Sequence, residues 1–231
     1  MVKNLKPEKE QNPQNKFSPS AQERILKAGL EVFSQKGKAG ARVYEIAQRA
    51  GVNKALVHYY FSSKAQLYEQ VFEYYLSQIL SQIQELVKKA SKKDLQKKLE
   101  TLVDVYFDFI DAHPQIVRLL SWELLEGAEV AKKVFQKIMK EDNLSLPQDL
   151  QELVKQGIKE RKIYPVEPSQ AVLSILGMTL FYFFVRPIFI QIWDIDLAQE
   201  EDFLKARRAH IKSLLKRGLF RSSSTKKRRK K

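Results

Sequence analysis

The sequence predicts an all-α protein: a small N-terminal three-helix unit containing a helix-turn-helix, followed by a larger helical body. Three observations carry this. No window alternates apolar and polar residues over the length of a strand, and no internal repeat stands out. Apolar residues recur at three- and four-residue spacing along most of the chain. The interruptions fall on residues that end helices: Gly37, Gly51, His113-Pro114, Gly127, Asn143 to Pro147, Tyr164-Pro165, Pro168 and Asp194 to Asp196.

Residues 1–17 hold Pro7 and Pro13 among Lys, Glu, Gln and Asn, and read as a flexible arm. Ser20-Ala-Gln-Glu23 fits a capping box, in which hydroxyl and carboxylate satisfy free backbone N–H groups. Ile25, Ala28, Gly29, Val32 and Phe33 then share one helical face, and Gly37 stops the helix. A mid-helix glycine costs about 1 kcal/mol against alanine, so Gly29 predicts a close crossing by another helix. A second helix is expected over Val43 to Ala50, with Ile46 and Ala47 inward, and Gly51 provides the turn. Asn53 is a good N-cap for a third helix over Lys54 to Tyr60. Ser63-Lys-Ala-Gln66 is a second capping box, opening a long helix from Lys64 to about Lys89.

Beyond it the pattern predicts helices near 92–112, 114–126, 128–141, 147–162, 168–190 and 199–218. The most apolar stretch, Ala171 to Val185, contains Ser174, Gly177 and Thr179 and is shorter than the ~20 apolar residues of a membrane span. It reads as a buried helix, with no membrane partner expected. The run Phe181 to Phe184 covers every face of that helix, leaving room for a partner subunit on one side and a cavity on another. The chain therefore divides into the arm, a head over 18–64, a body over 65–218 and a low-complexity, disordered basic tail over 219–231.

The net charge is +14, and its location matters more than its size. Residues 1–64 carry +7 and residues 216–231 carry +9, whereas 65–215 carry −2. A basic end on a near-neutral body suits one module that meets a polyanion and another with different work. The chain has no cysteine, which excludes disulfides, thiolate metal sites and cysteine nucleophiles. His113 and His210 have no metal-ligand spacing around them, and Asp104, Asp108 and Asp111 read as a solvated helix face. No nucleophile motif or glycine-rich phosphate loop occurs. The expectation is a protein that is not an enzyme, with no catalytic residues, metal or cofactor.

Two short helices crossing steeply let the second enter the major groove of DNA while the first braces it. In helix 54–60, Val57 is expected to anchor the helix to the core together with Tyr60 and Phe61. That leaves Lys54, Ala55, Leu56, His58 and Tyr59 for DNA. Ala55 and Leu56 suit a thymine methyl, and His58 and Tyr59 suit a base edge or a phosphate. Lys54 and Lys64 stand at the two ends of this helix, where phosphates would pass. Lys64 also opens the long helix, whose free N–H groups favour an anion. Arg42, Val43 and Tyr44, at the start of the second helix, complete the candidate DNA-binding set.

These residues carry a resemblance. Ala21-Gln-Glu-Arg-Ile-Leu, Phe33-Ser-Gln-Lys-Gly37, Glu45-Ile-Ala, Ala50-Gly-Val-Asn-Lys and His58-Tyr-Tyr-Phe-Ser-Ser-Lys64-Ala-Gln-Leu67 follow in order within one stretch of 47 residues. Together they resemble the head of the tetracycline-repressor (TetR) family of bacterial regulators. The resemblance implies a helical effector-binding and dimerisation domain, with a long fourth helix and a closing pair of helices that form a homodimer. It further implies a repressor on a palindromic DNA operator, released by a small apolar or amphipathic effector, in the bacterial cytoplasm at the nucleoid. Tyr106, Phe109, Trp122 and Phe181 are the expected effector-pocket lining. Two positions depart from the family. The Ser/Thr usually found before the second helix is replaced by Ala41-Arg42; Arg42 can meet a phosphate but cannot cap through an oxygen. The usual recognition-helix tyrosine is His58, either a source of mild pH sensitivity or a neutral hydrogen-bond donor. The alternative reading is a sequence-tolerant architectural DNA binder, driven by the basic head and tail. The tail has two open readings: it adds nonspecific DNA affinity, in which case deleting 222–231 lowers the salt dependence of binding, or it is a solubilising terminus.

Overall fold

A computed structural model of the chain describes residues 20–89, 95–141, 145–193 and 200–221. Ten helices run in order along it: α1 Ala21–Gly40, α2 Val43–Arg49, α3 Lys54–Tyr60, α4 Lys64–Lys89, α5 Leu95–Ala112, α6 Gln115–Leu125, α7 Glu129–Glu141, α8 Leu146–Lys159, α9 Pro168–Ile192 and α10 Glu200–Gly218. Among the described residues the only extended pairing is an isolated bridge between Ile163 and Phe220. The arm at 1–17 and residues 222–231 of the tail lie outside the described residues; Leu219 and Phe220, placed in the disordered tail by composition, are instead buried, because Phe220 bridges Ile163 and Tyr164 N donates to the Leu219 carbonyl at 3.0 Å.

Side-chain caps explain where α1, α3 and α4 begin. Ser20 Oγ accepts from Glu23 N at 3.1 Å while Ser20 N donates to Glu23 Oε2 at 2.8 Å, a complete capping box. Asn53 Oδ1 accepts from Leu56 N at 2.7 Å and starts α3. The box at α4 differs from expectation by one residue. Ser63 Oγ accepts from Gln66 N at 3.1 Å, but the Gln66 side chain accepts from Ser62 N at 2.8 Å rather than from Ser63 N.

Helix α1 lies against α4, and their crossing accounts for Gly29. A Cβ at Gly29 would stand 2.9 Å from Val71 Cγ2. Gly29→Ala is expected to lower stability by roughly 1 kcal/mol, because overpacking costs about 1–3 and helix propensity returns about 1. Thermal unfolding of the variant checks this; a gain in stability contradicts the crossing. At its other end α1 turns sharply at Gly37, which has φ +65° and sits under the Trp122 ring of α6, 3.3 Å from where a Cβ would be.

One apolar core runs from the head into the body. Ile25, Phe33, Ile46, Val57, Phe61, Leu67 and Val71 fill the head, and Leu99, Leu102, Phe107, Leu119, Val134 and Val154 continue it. The first turns of α4 therefore serve head and body together. Tyr68 is central: its ring meets Phe33 edge-on at 4.9 Å and Phe72 at 5.2 Å.

Ion pairs tie the body's helices at their rims. Glu69 and Glu73 of α4 meet Lys133 and Lys137 of α7, each at 2.7 Å. Asp104 and Asp108 of α5, expected to be solvated, instead meet Lys212 and Arg208 of α10 at 2.5 and 2.7 Å. The α5 face that looked merely polar is thus a docking rail for α10. Partly exposed pairs of this kind contribute about 0–1 kcal/mol each and fix register more than stability.

The apolar stretch 171–185 is helical, as its composition implies, but it is not buried as expected. Helix α9 is long and apolar enough to cross a membrane by length and composition, yet little of it is covered. Leu173, Phe181, Ile188 and Ile192 are 62%, 57%, 58% and 67% exposed, with Leu214 of α10 at 44%. Its other face carries buried Ile175, Thr179 and Tyr182. The charge within this helix, Arg186, is held by both carboxylate oxygens of Glu200 on α10. That pair holds Glu200 below the usual carboxylate range.

Candidate nucleic-acid interface

The head presents one polar and aromatic surface, built by α2, α3 and the start of α4. In α3, Val57 is buried, and Phe61 just beyond the helix is 1% exposed; both anchor it to the core as expected. Lys54, Ala55, His58 and Tyr59 are exposed, Tyr59 to 81%, and Leu56 is half-buried. Tyr60, expected in the core, is 37% exposed and sits edge-on to Tyr59 at 5.3 Å. The reason lies in helical phase: Val57 and Phe61 are a turn apart, and Tyr60 lies off their axis. At the start of α2, Arg42 and Tyr44 are exposed, Tyr44 to 68%, and Val43 is half-buried against the core.

No side-chain oxygen caps α2, consistent with Ala41-Arg42. Lys64 supplies a different brace. Its ammonium donates to the carbonyls of Ala39 and Ala41 at 3.0 and 3.1 Å, tying α4 to the α1–α2 junction. Of the three N–H donors that a lysine carries, two are engaged in this way. Glu45 in the first turn of α2 bonds Lys36 at 2.6 Å and Arg49 at 3.2 Å, and the Lys36 ammonium holds its carboxyl below the usual range. Arg24 donates to the Ala50 carbonyl at 3.1 Å, so the turn before α3 is fastened to α1. These contacts give α3 a rigid seat on which a short helix can be presented to a groove.

The profile of "bacterial regulatory proteins, tetR family" matches residues 25–71, and the profile of the "tetracyclin repressor-like, C-terminal domain" matches residues 96–215, more than half of the chain. The chain belongs to the TetR family. It is therefore related to DNA-binding transcriptional regulators with a helix-turn-helix head. The regulator RutR of Escherichia coli O157:H7 is 28% identical over 158 residues, 68% of this chain and 71% of that protein. The repressor SCO4008 of Streptomyces coelicolor is 30% identical over 103 residues, 45% of this chain and 49% of its own length. Among solved structures, the fatty acid degradation regulator FadR of Bacillus halodurans superposes with TM-score 0.63 at 21% identity, covering 87% of this chain and 96% of that one. FadR of Bacillus subtilis, solved with stearoyl-CoA, gives TM-score 0.63 at 19% identity, covering 83% and 96%. Both show the same fold.

Tyr106 and Phe109 are neighbours on α5, but the four residues expected to line an effector pocket do not jointly line any of the main cavities among the described residues. Phe109 is buried, edge-on to His113 at 4.9 Å. Tyr106 is half-buried against the core, and burial pushes its hydroxyl up to about 12. Phe181 lies on the exposed face of α9. Trp122 stands at the head–body junction, where its Nε1 donates to the Ser34 carbonyl at 3.2 Å. Beside it is a groove of about 340 Å³ lined by Ser34, Gln35, Arg118, Ser121 and Leu125. A larger cleft, about 560 Å³, opens between the α5–α6 corner and the α9–α10 pair, and none of the four lines it.

Sequence reasoning also missed Glu123, which is 2% exposed. Its carboxylate accepts from Tyr68 OH at 3.1 Å and from the backbone of Val130 and Ala131 at 2.6 and 3.0 Å. It thus caps α7 across the turn and holds the start of α4 at once. Burial, then the charge of Glu123, pushes the Tyr68 phenol far above its usual value. Spacing was the available signal: Glu123 follows buried Leu119 by four residues, on the same helical face.

Proposed function

We propose that this chain is an effector-released repressor that acts as a homodimer on a palindromic operator. The exposed face of α3 carries the reading: Lys54, Ala55, His58 and Tyr59 are bare while Val57 and Phe61 are sunk in the core. Arg42, Lys54 and Lys64 meet phosphates, which set register; His58 and Tyr59 meet base edges, and Ala55 and Leu56 a thymine methyl. Val43 and Tyr44 flank them at the start of α2. Dimerisation is supported by the bare apolar stripe of α9, an exposure that a second copy removes. Two copies place two α3 helices in successive major grooves, about 34 Å apart. A small apolar or amphipathic effector fits a body whose fold, in FadR of Bacillus subtilis, is solved with stearoyl-CoA. Such an effector shifts the equilibrium only by its differential affinity for two head spacings. The expected setting is the bacterial cytoplasm, at the nucleoid.

The charge of +7 over residues 1–64 favours a second reading, a sequence-tolerant architectural binder. Two substitutions separate the readings in mobility-shift titrations across salt. Lys54→Ala is expected to weaken specific and random DNA alike and to lower the salt slope by about 1. Tyr59→Ala is expected to cost roughly 1–3 kcal/mol on the preferred sequence and little on random DNA. Equal loss on both DNAs from Tyr59→Ala supports the architectural reading instead.

A further inference from the structure

Helix α6 joins two places. Its last turns, through Trp122 and Glu123, grip α1 and α4 of the head. Its first turns, through Val117 and Arg118, wall the cleft of about 560 Å³. A volume of that size is typical of small-molecule sites. The cleft's apolar surface comes from Ile110, Val117, Phe183 and Leu204.

Its charged rim is unevenly satisfied. Arg186 is held by Glu200, and Glu201 meets Lys205 on its own helix at 2.7 Å. Two charges remain without a hydrogen bond or ion pair among the described residues: Arg118 on α6 and Asp111 on α5. An exposed guanidinium beside an apolar floor is a ready bidentate partner for a carboxylate. Asp111 on the same rim opposes a second negative charge, so it selects against dianions.

We propose that this cleft binds an amphipathic monoanion, its apolar body on Val117, Phe183 and Leu204 and its carboxylate on Arg118. This deepens the effector reading and rests on it for any regulatory meaning. A molecule seated there presses on the helix that holds the head. Asp111 makes the site prefer a monocarboxylate to the dicarboxylate of equal length.

Calorimetric titration of the full chain with decanoate tests the assignment, with decanol, decylamine and decanedioate as comparisons. Saturable binding of one decanoate per chain is expected, with the three comparison compounds weaker. Arg118→Ala, an exposed position, weakens decanoate by about tenfold or more. Leu204→Trp, which fills the cleft, does the same. Ser121→Trp, which fills the neighbouring groove that shares Arg118, leaves binding unchanged. Undiminished binding to the Arg118 and Leu204 variants overturns the proposal, as do tighter binding of decylamine or decanedioate and no binding of decanoate. DNA affinity is read separately. Bound decanoate with unaltered DNA affinity removes the effector reading and leaves the cleft assignment standing, whereas a chain that selects no DNA sequence defeats the regulator reading whatever the cleft holds.

Discussion

Glu123→Ala is expected to lower the unfolding free energy by about 3 kcal/mol, because it strands a buried phenol and two helix N–H groups in one step. For a chain of this size that is a fall of roughly 6–12 °C in Tm. Glu123 is 2% exposed, and three donors converge on it from α4 and α7. The alternatives for those donors are poor. Tyr68 is itself 0% exposed, enclosed by Phe33 and Phe72, so water does not readily replace the carboxylate. Glu123→Gln keeps one acceptor oxygen and is expected to lose about half as much. Thermal unfolding of both variants by circular dichroism checks the order. If Glu123→Ala lies within about 0.5 kcal/mol of the parent, the range of ordinary surface substitutions, the carboxylate is not the tie between head and body described above.

Leu173→Glu combined with Phe181→Glu is expected to convert a dimer into a monomer and to weaken operator binding on the order of 10³-fold. Each half-site then binds alone, without the effective concentration that a linked second head provides. Both side chains are more than half exposed in the single chain, so the double variant keeps its fold. In a dimer packed through this stripe each introduced carboxylate would be buried in an apolar contact, and two-fold symmetry repeats that cost in both subunits. Sedimentation velocity gives the mass, and mobility shift gives the affinity. A double variant that stays dimeric and holds its operator places the subunit contact somewhere other than α9.

How much of this was legible in the sequence depends on the range of the interactions involved. Local signals were read well. Ser20, Asn53 and Ser63 each start a helix because a short side-chain oxygen has backbone N–H groups three residues on within reach, a fact of spacing alone. Gly29 pointed to a helix crossing before the partner, Val71, was visible. Long-range satisfaction was not legible. Lys64 reads as a phosphate contact by position, yet its ammonium first closes the carbonyls of Ala39 and Ala41, some 25 residues upstream. Asp104 and Asp108 look like a solvated face because their cations lie on α10, a hundred residues away. Composition alone also misjudged α9. An apolar helix is expected to be buried, yet one face of α9 stays exposed among the described residues. The aromatics expected as pocket lining spread over α5, α6 and α9 for a related reason. Periodicity gives the face of a helix, not its neighbours, and Trp122 turned toward the kink at Gly37 rather than into the body.

On the proposed function a helix-turn-helix head reads a particular DNA sequence twice, once per subunit. Selection of bound duplexes from a randomised pool by the full-length protein, at fixed salt, tests it most directly. Enrichment of a two-fold symmetric sequence is expected, with half-site centres about 10 base pairs apart or a multiple of that, and with a preference over random DNA on the order of 10³ or more. Failure of any symmetric sequence to emerge, with affinities that vary by less than about tenfold between sequences and track salt alone, would contradict it.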